Sequence, residues 1–463
     1  MNRFLQSGRF LLFSYFAVVI LVGTVLLSLP VAWPGPGRVS VLDALFTSVS
    51  AACVTGLITV NTADFSLFGK LVILAVIEAG GLGIIAFSTL YLWRPGARIS
   101  LRNRQLIRDF SLETVEFKPR RILRGILLWT FGVQIVGAVV LYAGFSRAGL
   151  ETPFLTSVFH AVSAFCNAGF SLFPDSLERF GAAPAVTGAV MVLIIFGGVG
   201  FVVLEDVRKR VLGRRLRLTL HSRVVLAATA VFILIGTLGY LWLLPADVGL
   251  SAGGADAGAA GAASDAPGTA AAAGARLQAA LFQSVTTRTA GFNTIPQGDM
   301  PLPAQFLTLM LMLIGGAPGS TAGGLKVTTV VLVLAAALTG TDRQGELQLG
   351  RRRVAPNTVR NAFAFAVKGT LLLGVAIFAL LLAQRVTPGG QWAFTDVVFE
   401  AFSAFGTVGL STGLTPDLTA AGKVVIIATM IAGRLGLISL VMPVDRQEKR
   451  HAIDYPRGRV LLG

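Results

Sequence analysis

The stretch AACVTGLITV, Ala51 to Val60, sets a glycine-centred turn in an apolar context. Versions of it return three more times, as AFCNAGFSLF from Ala164, TTRTAGFNTI from Thr286 and AFGTVGLSTG from Ala404. Their glycines, Gly56, Gly169, Gly291 and Gly409, stand 113, 122 and 118 residues apart, a period of roughly 117. That is too long for a solenoid and long enough for two membrane helices with a hairpin between them. The residues leading into each turn agree as well. Phe46, Phe159 and Phe399 lie ten residues before their glycine, and Ser50, Ser163 and Ser403 six before it, while the third copy keeps Phe282 at nine. A second landmark follows each turn. AGGLG from Ala79, FGGVG from Phe196, IGGAPG from Ile314 and AGRLG from Ala432 begin their glycines 24, 28, 24 and 24 residues past the turn glycine. Agreement at two independent landmarks makes an internal fourfold repeat the strongest signal in the chain.

Composition identifies the solvent. Of the 463 residues 54% are hydrophobic and 13% charged, and the mean hydropathy is +0.75. A water-soluble domain does not hide that much apolar surface, so the bilayer is part of the environment. The net charge of +16 raises nucleic acid as a partner, but its distribution argues against one. Basic residues crowd into connectors: nine Lys/Arg from Arg94 to Arg124, seven from Arg208 to Arg223 and five from Arg343 to Arg360. This is the positive-inside asymmetry of a polytopic membrane protein. It predicts a multi-pass protein of the cell inner (cytoplasmic) membrane with N- and C-termini cytoplasmic. The apolar run after Arg3 and Arg9 is too long for a signal peptide and has no small-x-small cleavage site, so it reads as a retained first helix. Cys53 and Cys166 each precede a repeated glycine by three residues and are equivalent repeat positions rather than a disulfide framework. His160, His221 and His451 lack metal-ligand spacing. With no nucleophile, base and acid arranged together, no enzyme activity and no bound cofactor are expected.

Each unit reads alike: a long apolar segment, a short amphipathic segment that cannot span, the turn, and a second apolar segment. The short segments begin near Val41, Pro153, Leu277 and Thr395. The expected fold class is an all-α polytopic membrane protein with four pseudo-repeats of outer helix, re-entrant pore helix with filter loop, and inner helix around one central pore. The repeats occupy residues 1–93, 121–206, 216–340 and 355–444, and a cytoplasmic C-terminal tail covers 445–463. Leu250 to Arg276, residues 250–276, is Gly/Ala-rich low complexity and reads as a disordered, non-cytoplasmic insertion. The GGLG and GGVGF runs have no strand before them, so they read as close helix packing rather than nucleotide-binding glycines.

Non-helical backbone is tolerated at membrane depth only where protein buries it or a water-filled space adjoins it. Four re-entrant turns meeting on one axis satisfy that condition. Glycine permits a positive φ that aims carbonyls at the axis, and four such strands give rings of carbonyl dipoles able to replace an ion's hydration shell. The short helices also point their partly negative C-terminal ends there. The predicted ion path is lined by Val54, Thr55 and Gly56, by Asn167, Ala168 and Gly169, by Thr289, Ala290 and Gly291, and by Thr407, Val408 and Gly409. An ion crossing there would be held by backbone carbonyls, as K⁺ is in channel filters built from four Thr-Val-Gly-type loops.

SAACVTGL, SAFCNAGF, TTRTAGFN and SAFGTVGLSTGLTPDL resemble the four filter loops of the Trk/Ktr/HKT superfamily of K⁺ transporters. GGAPGSTAGGLKVTT is similar to that family's interrupted third inner helix and GRLGL to its fourth. The likeness covers essentially the whole chain and is greatest to the Ktr-type subunit, because the chain opens directly on the first pore unit. It implies K⁺ uptake by a homodimer on a cytosolic, Rossmann-like (RCK-type) nucleotide-binding ring, with Na⁺ as a candidate activator. An Na⁺-conducting relative is the alternative, and an unrelated secondary transporter a remote one. In the Na⁺ branch a Ser commonly replaces the first filter glycine, whereas Gly56 is intact. The short ending DYPRGRVLLG, from Asp454, also resembles the family's and is a candidate contributor to the dimer interface.

Two features lie beyond the filter. Gly315 to Gly324 holds five glycines and a proline within a membrane segment, which no straight helix survives. It is read either as a packed kink or as an intramembrane gating loop comprising Gly315, Gly316, Pro318, Gly319, Ser320, Thr321, Gly323 and Gly324. Arg434 lies 25 residues past Gly409, near mid-membrane. It is either a positive barrier below the filter or half of an ion pair with Glu78. Lys326 is expected at the cytoplasmic side of the broken helix rather than in the pore.

Overall fold

The computed structural model describes residues 8–35, 39–91, 119–213, 217–245, 270–340, 342, 345–350, 352–385 and 392–436. The chain passes four times through similar elements. The first unit is α1 (Gly8–Leu27), α2 (Val41–Ala52) and α3 (Leu67–Tyr91). The second is α4 (Pro119–Arg147), α5 (Pro153–Phe165), α6 (Pro184–Val199) and α7 (Phe201–Val211). The third is α8 (Leu220–Leu243), α9 (Ala270–Thr286), α10 (Leu302–Met312) and α11 (Val327–Thr339). The fourth is α12 (Pro356–Gln384), α13 (Phe394–Gly406) and α14 (Ala420–Ile431), which runs on as a π-turn over Ala432–Gly436. Among the described residues three helices, Leu123–Arg147, Leu220–Leu243 and Pro356–Gln384, are long and apolar enough to cross a membrane. Leu128, Ile135 and Val139 on α4 and Leu371, Val375 and Phe378 on α12 point outward, as a lipid-facing side requires.

Local chemistry starts the short helices. The Ser40 hydroxyl accepts the Asp43 N–H at 3.1 Å, Pro153 opens α5, and the Asp396 carboxylate accepts the Ala393 N–H at 2.9 Å before α13. Their repeated phenylalanines, Phe46, Phe159, Phe282 and Phe399, are at most 1% exposed and bind each short helix into the interior.

Three details differ from the sequence reading. Helix α9 begins at Ala270, seven residues before Leu277, because a run of alanines extends a helix readily. Arg276 then donates to the Leu241 and Leu244 carbonyls at the open end of α8, at 2.6 and 3.0 Å. Residues 270–276 are therefore helical rather than a disordered insertion, and residues 250–269 lie outside the described residues, as does the tail 445–463. The fold is also not purely helical. Leu347–Leu349 pairs antiparallel with Arg352–Val354, around Gly350 at φ +60°, with Leu347 buried against Ala336 and Val359. Finally, the second apolar segment of unit two is broken. Gly200, at φ +86°, separates α6 from α7, which are bent by 98°.

The units pack in cyclic order. Helix α3 rests on α4 and α5, α6 on α9, α10 on α13, and α14 returns to α2. That last contact carries an ion pair, Lys423 Nζ to Asp43 Oδ1 at 2.6 Å, with both side chains less than a fifth exposed. Screening is weak there, so a double-mutant cycle of Lys423→Met and Asp43→Asn is expected to give a coupling of about 1–2 kcal/mol in thermal unfolding. Zero coupling would mean that this pair adds nothing to the join between unit four and unit one.

Candidate functional site: four turns and a buried loop

Each turn is built on a helix end. In units one, two and four the N–H groups of Val54, Asn167 and Thr407 reach the carbonyls of Ala51, Ala164 and Ala404 at 3.1, 3.1 and 3.2 Å. Those of Thr55, Ala168 and Val408 reach Ser50, Ser163 and Ser403 at 2.8 Å each. This paired bonding is a Schellman closure, but the left-handed position is held by a side-chain-bearing residue. Val54, Asn167 and Thr407 have φ of 49°, 56° and 50°, and Thr289 in unit three has 70°. For Val and Thr this backbone is strained. Two residues on, the glycines repeat a positive φ: 95° at Gly56, 70° at Gly169, 79° at Gly291 and 94° at Gly409.

The four glycines touch. A methyl group placed on Gly56, Gly169, Gly291 or Gly409 would come within 3.0–3.1 Å of the glycine Cα of the next unit, in cyclic order back to Gly56. It would also press on that loop's preceding carbonyl, namely Ala168 O, Ala290 O, Val408 O and Thr55 O in turn. The turns thus form a closed ring in which each loop's carbonyl borders its neighbour's glycine. Hydroxyls brace it from behind. Ser50 and Ser403 accept the Gly56 and Gly409 N–H groups at 3.0 Å, Ser163 donates to Phe170 O at 2.8 Å, and Thr286 donates to Phe292 O at 2.8 Å. Thr286 is the serine counterpart that the sequence reading missed. Its signal was the same one-residue shortening that moves Phe282.

The later glycines seat the ring. Methyl groups on Gly80, Gly197 and Gly433 would overlap the backbone carbonyls of Ala52, Phe165 and Phe405, the residues four before each turn glycine. Unit three has a different contact, in which Gly406 of unit four's short helix lies against Met312 O.

Residues 315–324 leave the helix and return. The Gly315 N–H donates to Leu325 O at 2.8 Å and the Val327 N–H to Gly316 O at 3.0 Å, which closes the base of the loop. Ala317 N–H and Thr321 N–H donate to Gly198 O and Gly197 O at 2.9 and 3.3 Å, and the Thr321 hydroxyl to Phe165 O at 3.2 Å. Gly323 lies against the Thr407 side chain, Gly324 against Gly406, and the Gly319 carbonyl beside the Gly200 break. Gly315, Gly316 and residues 320–324 are buried, while Pro318 and Gly319 form a half-buried tip. Lys326 turns back onto this loop, donating to Ala322 O at 2.5 Å.

Arg434 is 3% exposed. Its guanidinium donates to the Thr321 carbonyl of the loop and, at 2.9 Å, to Gly80 O on α3. Glu78 is not its partner. The Glu78 carboxylate accepts from Gln134 Nε2 at 2.9 Å and from Cys166 Sγ at 3.3 Å. Two residues of helix rotate by roughly 200°, so Glu78 faces α4 and α5 while the Gly80 carbonyl faces Arg434. Two buried charged residues beside the turns were missed. Arg288, 8% exposed, donates to Thr229 at 3.3 Å, and Glu400, fully buried, accepts from Ser411 and Thr415. Each sits within or just before a repeated turn motif, which was the available signal.

Buried non-helical backbone held among apolar, broken helices is the architecture of a polytopic membrane protein. The family model described as "TrkH: Cation transport protein" matches residues 36–450, and the chain belongs to that family. It is 35% identical over 464 residues to the Ktr system potassium uptake protein B of Bacillus subtilis (strain 168), covering 97% of this chain and 95% of that protein. To the protein of the same name from Vibrio alginolyticus it is 35% identical over 462 residues, covering 98% and 94%. The potassium/sodium uptake protein NtpJ of Enterococcus hirae is 36% identical over 457 residues, covering 97% and 95%. The crystal structure of the potassium transporter TrkH from Vibrio parahaemolyticus has a similar fold, with TM-score 0.68 at 21% identity over 92% of this chain and 83% of that one. These relatives are named as transporters, not enzymes.

The strand leaving the second turn is joined to the third unit by Leu177 N–H to Asn293 O at 2.9 Å and Asn293 N–H to Ser176 Oγ at 3.0 Å. Beside it, burial and then the Asp175 and Asp299 carboxylates push Glu178 from 4.5 up to about 7. A carboxyl that holds its proton more tightly when folded adds stability below pH 4.5, and this is lost as the pH climbs through 7. Glu178→Gln is therefore expected to raise the thermal midpoint at pH 8 and leave it nearly unchanged at pH 4, measured by thermal unfolding in detergent. An equal shift at both would remove the electrostatic cause.

Proposed function

We propose that this chain is the ion-conducting membrane subunit of a K⁺ uptake system, with its four units around one central pore and the ring of turns as the selectivity filter. The observation that carries the reading is the cyclic contact of Gly56, Gly169, Gly291 and Gly409, each bordered by the next loop's carbonyl. A site made of carbonyl dipoles compensates a dehydrated monovalent cation without a fixed charge, so the ion binds and still leaves. Carbonyls around Val54–Thr55, Asn167–Ala168, Thr289–Ala290 and Thr407–Val408 line the path. The names of the Bacillus and Vibrio relatives support K⁺ as cargo, and that of NtpJ supports a part for Na⁺. By family resemblance the working assembly is a homodimer on a cytosolic nucleotide-binding ring. Serine in place of Gly56 would meet Ala168 O at 2.5 Å and carry a side chain at φ +95°, distorting one of four coordinating strands. Gly56→Ser is expected to raise ²²Na⁺ uptake relative to ⁸⁶Rb⁺ in K⁺-uptake-deficient cells. A wild-type ratio would count against the filter.

The loop Gly315 to Gly324 is the gate in this reading, and Arg434 holds it shut through Thr321. The guanidinium stays protonated at physiological pH, so it also repels an ion leaving the ring. Two unit charges about 6 Å apart at an effective dielectric of about 20 repel by roughly 3 kcal/mol, on the order of a hundredfold in rate if it falls on the limiting barrier. Arg434→Ala is expected to raise the maximal K⁺ rate with selectivity kept, read in proteoliposomes of the purified protein. Unchanged flux from well-folded Arg434→Ala would reduce the arginine to a strut.

A further inference from the structure

Nine residues before the turn glycine, and eight in the shortened third unit, the short helices carry Thr47, His160, Gln283 and Glu400. All four are polar and 0% exposed, one turn or more inside helices whose other inward positions are mostly apolar. Three of them tie the helix to the strand that leaves its own turn. His160 Nε2 meets Ser171 Oγ at 3.0 Å, and Gln283 Nε2 donates to Gln297 Oε1 at 2.8 Å. The Glu400 carboxylate accepts from Ser411 Oγ and, at 2.8 Å, from Thr415 Oγ1. The partners fall at repeated offsets too. Ser171 and Ser411 stand two residues past the glycine, and Gln297 and Thr415 six past it. In unit one these rows hold Thr47 and Thr62, whose buried hydroxyls make no hydrogen bond.

Burying a polar side chain costs free energy unless its partners are held in place. A phenylalanine or leucine would fill the same space without that demand, as the neighbouring row of Phe46, Phe159 and Phe399 does. A satisfied polar tie, by contrast, fixes distance and direction between the elements it joins. Glu400 is the strongest case, because its carboxylate takes two hydroxyl donors from one short exit segment. Ser411 in turn accepts the Gly413 N–H at 2.9 Å, so the tie reaches the first residues beyond Gly409.

We propose that Glu400, His160 and Gln283 are positioning residues: they brace the strands leaving the ring from behind and thereby set its cation selectivity, with Glu400 the dominant brace. This rests on the reading of the ring as the selectivity filter. The brace is unequal around the ring, with a carboxylate in unit four, an imidazole in two, an amide in three and an unbonded pair of threonines in one.

The test is the ⁸⁶Rb⁺ to ²²Na⁺ uptake ratio of purified protein in proteoliposomes, normalised to monodisperse protein. Glu400→Ala is expected to lower the ratio about tenfold, the loss of its two buried hydrogen bonds. Ser411→Ala should lower it in the same direction, and the double change should be no worse than Glu400→Ala, since both remove one tie. Glu400→Gln keeps an acceptor for one hydroxyl and should restore most of the ratio. If Glu400→Ala yields no folded protein, Ser411→Ala carries the same expectation. Wild-type ratios in Glu400→Ala and Ser411→Ala beside a lowered ratio in Gly56→Ser overturn the brace and leave the filter standing. Wild-type ratios in all three overturn the filter and the brace with it.

Discussion

A backbone that leaves its helix inside a bilayer finds no water to satisfy its N–H and C=O groups, so protein must supply every partner. The four turns live under that constraint. In units one, two and four the turn closes its helix end through paired N–H bonds, and every turn takes a further hydroxyl contact from the helix behind it and presses against the next turn. The arrangement holds valine and threonine at positive φ in Val54, Thr289 and Thr407, a strain that the surrounding bonds over-determine. Only at the glycines, where neighbouring loops meet backbone to backbone, is there no room for a side chain at all.

The rest of the fold follows from bringing those turns together. Helices α3, α6 and α14 approach the ends of the short helices closely enough that only Gly80, Gly197 and Gly433 fit there. The third unit breaks this symmetry. Its second segment opens into the loop at Gly315 to Gly324, which is bonded to the Gly197 and Gly198 carbonyls of unit two and packed on Thr407 of unit four. The bend at Gly200 and the reach of Arg434 are accommodations to that one loop. Among the described residues no carboxylate pairs with this buried arginine, and it is stabilised by two carbonyls, Thr321 O and Gly80 O.

Much of this was legible in the chain itself. The period of the glycines, the phenylalanine and serine offsets and the crowding of basic residues into connectors are one-dimensional patterns. They sufficed to place the four turns and the break at Gly315 to Gly324, because glycine and proline act on local backbone wherever they stand. A run of alanines was misread as disorder because low complexity and helix propensity compete in Ala270 to Arg276, and docking of Arg276 on the end of α8 decides between them.

What the sequence could not supply was the partner of each polar group. Glu78 and Arg434 stand at comparable depth, yet helical rotation turns one toward Gln134 and the other toward a loop from a different unit. Gly200 reads as one more packing glycine until the loop from unit three occupies the space beside it. Thr286, Arg288 and Glu400 are visible as letters, but their bonds to Phe292, Thr229, Ser411 and Thr415 depend on where the chain goes after each turn. The sequence by itself determined where the turns repeat and where the third unit's helix breaks, since steric limits on φ and the cost of exposing polar backbone to lipid act residue by residue. Only the tertiary structure decided that the four turns close into a ring and which buried charges face one another, because those depend on helix rotation and on contacts between units more than a hundred residues apart.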